Sequence, residues 1–246
     1  MHAFGPLSTL FRDADRPVAS PPEIAWYAQH LPAGALCLDL MCGHGRLLMP
    51  LVDAGRKVHG VDLSAAMLAR CEDKLGAAGL TVPTFRQDVV QMNLPFRYGC
   101  AFAAAGAFQL ITDHAATAAA LERVRAHLVD PGILYLDCRI PAAASQRLGA
   151  PLVEVRTIKL ADASQIALRS ETTWWADARL TRAENRYAHR RGAQRLAEEH
   201  ETVTTTWYAP DEITELVRAA GFRDVATGPA PAAPEEGEAF ILTARA

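Results

Sequence analysis

The 246-residue chain has no apolar run approaching the ~20 residues needed to cross a bilayer, and its opening MHAFGPLSTLFRDADRP lacks the apolar core of a signal peptide. Positive charge is scarce. Lysine and arginine total 25 against 28 acidic residues, a net charge of −3, and arginine far outnumbers lysine. Nucleic acid and anionic membranes reward a strongly basic face, so neither is an expected partner. The five cysteines are odd in number and scattered. Cys37 and Cys42 form a C-x4-C pair with no second pair behind it, which excludes the usual zinc pattern and any disulfide framework. They read as buried free thiols of a cytoplasmic protein, and no metal is expected. No internal repeat is visible. Half the residues are apolar and 22% are charged, enough core and surface for one elaborated globular domain.

The first ~150 residues alternate short apolar runs with helical patterns. Strands are predicted at 35–40 (ALCLDL), 57–61, 81–86, 100–105 and 133–138 (ILYLDC), with helices at 23–31, 46–54, 64–76 and 115–128. Ser64 is the expected N-cap of its helix, and Asp130-Pro131-Gly132 reads as a turn. Alternation at this spacing means βαβ units, so the fold class is α/β with a doubly wound, mostly parallel sheet. Beyond Pro151 the rhythm changes. Segments 153–160, 166–174 and 201–208 alternate with period two, as antiparallel strands with one wet face do. Segment 179–200 stays open: its Ala, Glu and Arg favour helix, whereas Arg191-Gly192 suits a hairpin turn. A short helix at 211–220 ending at Gly221, a Pro/Ala/Glu loop at 229–238 and a last strand at 239–243 complete the chain.

The stretch 36–46, LCLDLMCGHGR, carries the chemistry. A buried strand runs through a glycine turn into a helix, where backbone amides can approach a ligand closely. A dinucleotide fold would place a third glycine at Leu48, and the strand-end carboxylate of Asp39 would repel a pyrophosphate. An acid there suits a ligand bearing positive charge. Asp62 ends the next strand, where it can accept both hydroxyls of a ribose or cap the following helix. Asp88 follows the third, where it can accept an exocyclic amine or sit in a solvated turn. Three acids at three successive strand ends form one constellation.

On these residues the first ~140 positions resemble the S-adenosylmethionine-dependent methyltransferases with a Rossmann-like fold, of the bacterial small-molecule type. DLMCGHGR resembles their glycine-rich motif, VDLS their ribose-binding acid, QDVV their adenine-side acid, and 95–111 and 121–141 their fourth- and fifth-strand regions. The resemblance implies S-adenosylmethionine as cofactor. Asp39, Met41, Cys42, Gly43 and Gly45 would hold its methionine moiety, Asp62 its ribose, and Leu63, Gln87, Asp88 and Val89 its adenine, while Ala105, Gly106 and Phe108 would line the sulfonium. Met41 departs from the family, which usually has glycine there. The remaining ~100 residues are similar to relatives with antiparallel strands inserted after the fifth strand. They imply a single domain over 1–246: a cofactor-binding core at about 20–140 plus 209–246, and a lid or dimerisation insertion at about 151–208.

Alignment of a nucleophile with the methyl group supplies most of the acceleration such a reaction needs, and only a hydroxyl acceptor benefits from a base. His114 is the best-placed candidate base, against its ordinary use at a helix start, and Gln109 could orient a polar substrate. His44 reads as a solvent-facing turn residue. The fourth strand ends in AAAGAF, without the Asn/Asp-Pro-Pro-aromatic box that base-modifying enzymes use to stack a flipped base. Trp174, Trp207 and Tyr208, with Phe11 and Arg12 of the N-terminal segment, are candidates to wall a flat substrate, against ordinary core packing for the aromatics. The expected activity is methyl transfer to N or O of a small, planar metabolite. Two alternatives stand beside it: an RNA methyltransferase using the arginines between 179 and 195, and a non-catalytic cofactor-binding protein. A homodimer is left open.

Overall fold

The computed structural model describes residues 3–141, 151–232 and 237–246. Part of the expected 229–238 loop thus lies outside the described residues. The short apolar segments of the first half form β1 (Leu36–Leu40), β2 (Lys57–Asp62), β3 (Thr84–Arg86), β4 (Tyr98–Ala103) and β5 (Leu128–Ile140). They lie parallel in the order β3-β2-β1-β4-β5. Two further strands, β10 (Arg223–Pro229) and β11 (Glu238–Arg245), continue the sheet beyond β5 in antiparallel sense, giving seven strands. Because helices cover both faces, β1, β2 and β4 are buried almost throughout rather than alternating.

The helices are α1 (Pro6–Asp15), α2 (Pro21–His30), α3 (Leu48–Asp53), α4 (Ala65–Ala77), α5 (His114–His127) and α6 (Pro210–Ala219). Local chemistry starts several of them. Ser20, Ser64 and Asp113 accept backbone N–H bonds from Glu23, Met67 and Ala116, and α1, α2 and α6 begin with proline. Two apolar clusters flank the parallel sheet, one holding Leu38, Leu40, Ala101 and Leu136, the other Cys37, Leu48, Leu51 and Phe102. All five cysteines are buried and free. No helix among the described residues is long and apolar enough to cross a membrane.

Between β5 and α6 in sequence, β6 (Leu152–Lys159), β7 (Gln165–Trp175), β8 (Leu180–Arg191) and β9 (Gln194–Thr206) form a separate antiparallel sheet in chain order. Segment 179–200 is therefore a hairpin. Gly192 turns it at φ 57°, and the strong helix formers around it are overridden by pairing on both sides of β8. Three boundaries differ from expectation. Pro83 precedes a third strand of only three residues. Strand β4 stops at Ala103, because Ala105 and Gly106 take left-handed conformations. The expected turn at Asp130-Pro131-Gly132 is absorbed into β5. Helix α1, for which the sequence offered no expectation, packs on α4 and on the antiparallel sheet.

Candidate active site

The chain leaves β1 for β2 and β3 on one side and returns to β4 and β5 on the other, so a crevice opens beyond the carboxyl ends of β1 and β4. A cavity of about 440 Å³ occupies it. Its walls are Asp39 and the turn from Met41 to His44, then Ala104, Ala105 and Leu110 beyond β4, with Phe4, Arg12, Asp15 and Arg16 above and Arg156 from β6.

The turn is held by its own backbone. Met41, Gly43 and Gly45 have φ of 58°, 56° and 76°, left-handed values that cost a non-glycine residue about 1–2 kcal/mol. The amide of Cys42 donates to the carbonyl of Val61 at 3.0 Å, and that of Gly43 to Asp62 Oδ2 at 2.9 Å. Asp62 Oδ1 accepts from the amide of Ser64 at 2.8 Å, so this one carboxylate ties the turn to the end of β2. Gly45 is obligatory on a second count, since a Cβ there would stand 2.5 Å from Cys71 Sγ. Met41 satisfies the turn without being glycine and places its side chain in the cavity wall.

Buried charge concentrates beneath this turn. Asp39 is 3% exposed. Burial pushes its carboxyl well above the usual range, outweighing the opposing pull of Arg46, and no hydrogen bond to it is found among the described residues. The Arg46 guanidinium is itself engaged in a two-pronged pair with Glu23 at 2.6 and 2.8 Å. Asp137 at the end of β5 accepts the amide of Ala105 at 2.8 Å through Oδ2, fixing the loop after β4, while its buried Oδ1 has no partner. His44 is buried rather than solvent-facing. Its Nδ1 lies 3.2 Å from both Lys74 Nζ and Asp13 Oδ1, and burial with Lys74 outweighs Asp13 to bring its pKa down to about 4. A carboxylate driven up by burial, facing a cavity and meeting no donor, is one half of an ion pair. The ammonium and sulfonium of S-adenosylmethionine are the other half in kind, so the residues present fit that cofactor.

The structure brings Asp39, Met41, Cys42, Gly43 and Ala105 together around the cavity, with Asp62 joined through Gly43. Asp88 accepts from the amide of Val90 at 2.9 Å at the end of β3, and Gln87 closes a loop on Asn93. Leu63, Asp88 and Val89 are at the ends of β2 and β3 but outside the lining of the cavity, and Val89 and Phe108 are core residues. Gly106 turns the chain at φ 73°.

The candidates for substrate chemistry fare differently. His114 is the first residue of α5, exposed, and lines a different cleft with Trp207 and Tyr208. The structure does not bring it to Asp39. Gln109 is buried and fully engaged: Nε2 donates to the carbonyls of Arg139 and Thr206, each at 2.8 Å, and Oε1 accepts the amide of Arg139 at 2.7 Å. It is a rivet between the loop after β4, β5 and the end of β9. Tyr208 packs in the core with its hydroxyl 3.2 Å from Thr117 Oγ1. Phe11 meets the ring of Tyr187 edge-on in a small core under α1. Half-buried Trp174 shares the face of β7 that carries Ile166 and Leu168.

A second cavity of about 260 Å³ adjoins the first. It lies between α1 and the inner face of the antiparallel sheet and is lined by Phe11, Ser170, Asn185, Tyr187 and Glu154, and by Arg12, Asp15 and Arg156, which line the first cavity as well. Helix α1 closes over both. Its first turn donates the amides of Leu7 and Ser8 to the carboxylate of Glu199 at 2.7 and 3.0 Å. Its last turn places Asp13 on Arg70 and Lys74 at 2.6 and 2.8 Å. Arg12 is 3.3 Å from Glu201 and lies over the ring of Phe4. The sequence reading missed Asp15, Arg156, Ser170 and Asn185. Period-two alternation put the last three on one face of their strands; nothing local said what that face meets.

Comparison with known proteins agrees with this geometry. Residues 37–132 match the family model described as a methyltransferase domain. A Geobacillus sp. (strain WCH70) protein named as a methyltransferase is 28% identical over 100 residues, 41% of this chain, and the match spans only 40% of that relative's length. Among solved structures, the sugar N-methyltransferase KedS8 from Streptoalloteichus sp. superposes with a TM-score of 0.77 at 21% identity, covering 100% of this chain and 94% of that one. CalS10, an amino pentose methyltransferase from Micromonospora echinaspora solved with S-adenosylmethionine, gives 0.70 at 22% identity with 100% of both chains covered. A S-adenosylmethionine-dependent methyltransferase from Clostridium acetobutylicum gives 0.75 at 18%, covering 96% of both. Residues 37–132 thus match a methyltransferase domain, and the chain around them shares the fold of these solved structures.

Proposed function

We propose that the chain transfers a methyl group from S-adenosylmethionine to a nitrogen or oxygen atom of a small polar metabolite held on the inner face of the β6–β9 sheet. The observation that carries this reading is Asp39, a buried carboxylate with no hydrogen-bond donor among the described residues, facing a cavity beside a glycine turn at the point where the strand order reverses. The cofactor supplies a methyl already activated by its sulfonium. Asp39 would pair with the cofactor's positive charge, Asp62 would accept from its ribose while holding Gly43, and Asp88 with Val89 and Leu63 would meet its adenine. Helix α1 covers part of both cavities, and reduced contact with water strengthens charge interactions beneath it.

The acceptor reading shifts from flat to polar. Trp207 and Tyr208 line another cleft, while the cavity adjoining the cofactor site offers Ser170, Asn185, Glu154 and Arg156. The names of two solved neighbours, a sugar N-methyltransferase and an amino pentose methyltransferase, support a hydroxyl-rich or amine-bearing acceptor. The arginines between 179 and 195 give the RNA alternative little support: Arg182, Arg191 and Arg195 each lie 2.5 Å from a carboxylate, and Arg179 pairs with Glu212. Titration of the chain with S-adenosylhomocysteine, with NADH as control, tests the reading. One-to-one micromolar binding of the former alone is expected, and binding of neither removes the proposal.

A further inference from the structure

We propose that Asp15 is the group that receives the acceptor's N–H, and that the acceptor atom is an amine nitrogen. The inference rests on the methyl-transfer reading above and adds to it a residue and a substrate class. Among the described residues, Asp15 is the only carboxylate that lines both cavities, the one holding Asp39 and the one on the β6–β9 sheet. It stands where a cofactor on one side and an acceptor on the other would meet.

Its place in the fold is hard to explain otherwise. Asp15 is the last residue of α1, where the helix dipole disfavours negative charge by about 0.3–1 kcal/mol. Asp13, in the same turn, is compensated by Arg70 and Lys74. Asp15 has the guanidinium of Arg156 on Oδ1, and Arg16 Nε only at 3.8 Å from Oδ2. Among the described residues no hydrogen bond to Asp15 Oδ2 is found, and the side chain, 17% exposed, lines both cavities. Arg156 comes from β6 and lines both cavities, so the ion pair also sets the carboxylate's orientation from the substrate sheet.

The chemistry follows from this position. A neutral amine donates its N–H to Asp15, which turns the nitrogen lone pair toward the methyl carbon. As the nitrogen–carbon bond forms, the carbon–sulfur electron pair returns to sulfur, and the positive charge that develops on nitrogen is stabilised by the adjacent carboxylate. The nitrogen keeps its proton, and the product leaves as the methylated ammonium, carrying the positive charge that sulfur gives up. No other reactant is required.

Sinefungin tests this without knowledge of the acceptor, because it carries an amine-bearing carbon where the cofactor has its methyl sulfonium. Its affinity is measured by calorimetry beside that of S-adenosylhomocysteine, which has no group at that point. The unaltered chain is expected to prefer sinefungin. Asp15→Asn should cut sinefungin affinity by about tenfold while leaving S-adenosylhomocysteine within about twofold, the loss of one charge-assisted hydrogen bond. Asp15→Glu should restore part of the preference. A preference for sinefungin that survives Asp15→Asn overturns the role of Asp15 and leaves the cofactor reading standing. Failure of the unaltered chain to bind S-adenosylhomocysteine overturns both.

Discussion

The two cavities that meet at Asp15 are built in opposite ways. The one beneath the glycine turn has its main wall made from consecutive residues: 39 to 46 supply a strand end, three left-handed positions and a buried acid, tied to Asp62 at the end of the next strand. The one on the β6–β9 sheet is assembled from α1, β6, β7, β8 and β9, elements up to about 190 positions apart, and its seams are charges such as Glu199 under α1 and Arg156 on Asp15. A backbone-built site constrains residue identity tightly. A side-chain-built site constrains only shape and charge, so the first can stay fixed for one cofactor while the second varies with the acceptor.

Substitutions should separate the two. Gly45→Val should be the most damaging, because it forces a β-branched residue to φ 76° and drives its Cβ against Cys71. A loss of at least about 3 kcal/mol in urea unfolding is expected. His44 gives the next largest effect, and it is pH-dependent. An imidazole whose pKa falls from 6.5 unfolded to about 4 folded binds fewer protons in the native state between those values. Its contribution is therefore complete above pH 6.5 and is lost as the pH falls toward 4, by at most about 3 kcal/mol. Parallel denaturation of the unaltered chain and His44→Gln across that window reads the difference.

Asp39→Asn should divide stability from binding. Neutralising an unpartnered buried carboxylate should raise the melting temperature, whereas S-adenosylhomocysteine affinity should fall by about 2 kcal/mol; calorimetry and thermal melting together check both signs. Glu199→Gln acts on the other cavity. It removes the charge that caps α1 and should cost about 1 kcal/mol, with faster amide exchange confined to residues 5–15. The smallest effect belongs to Met41→Gly. Relief of the left-handed backbone is nearly offset by the added freedom of the unfolded chain, so stability should change by less than about 1 kcal/mol in chemical unfolding.

The same division explains what the sequence disclosed. The parallel sheet was legible because its strands are buried on both faces and read as apolar runs, and Asp39, Gly43 and Gly45 were legible because a sharp turn after a strand leaves few residue types able to form it. Helix α1 was not, since the charge that caps it is Glu199, far away in sequence. Gln109 and His114 lay in the right neighbourhood but faced the wrong way. A four-residue helical turn after β4 aims Gln109 into the protein, and the start of α5 carries His114 out to another cleft. Segment 179–200 stayed ambiguous because intrinsic propensity opposed the pairing that decided it.

Under this proposal, cofactor and acceptor occupy adjoining cavities that meet at Asp15. A crystal structure of the chain with S-adenosylhomocysteine addresses it directly. The amino-acid end of the ligand is expected against Asp39 and the glycine turn, with its sulfur facing the seam of Asp15 and Arg156. A ligand bound elsewhere, or with its sulfur turned away from that seam, would contradict it.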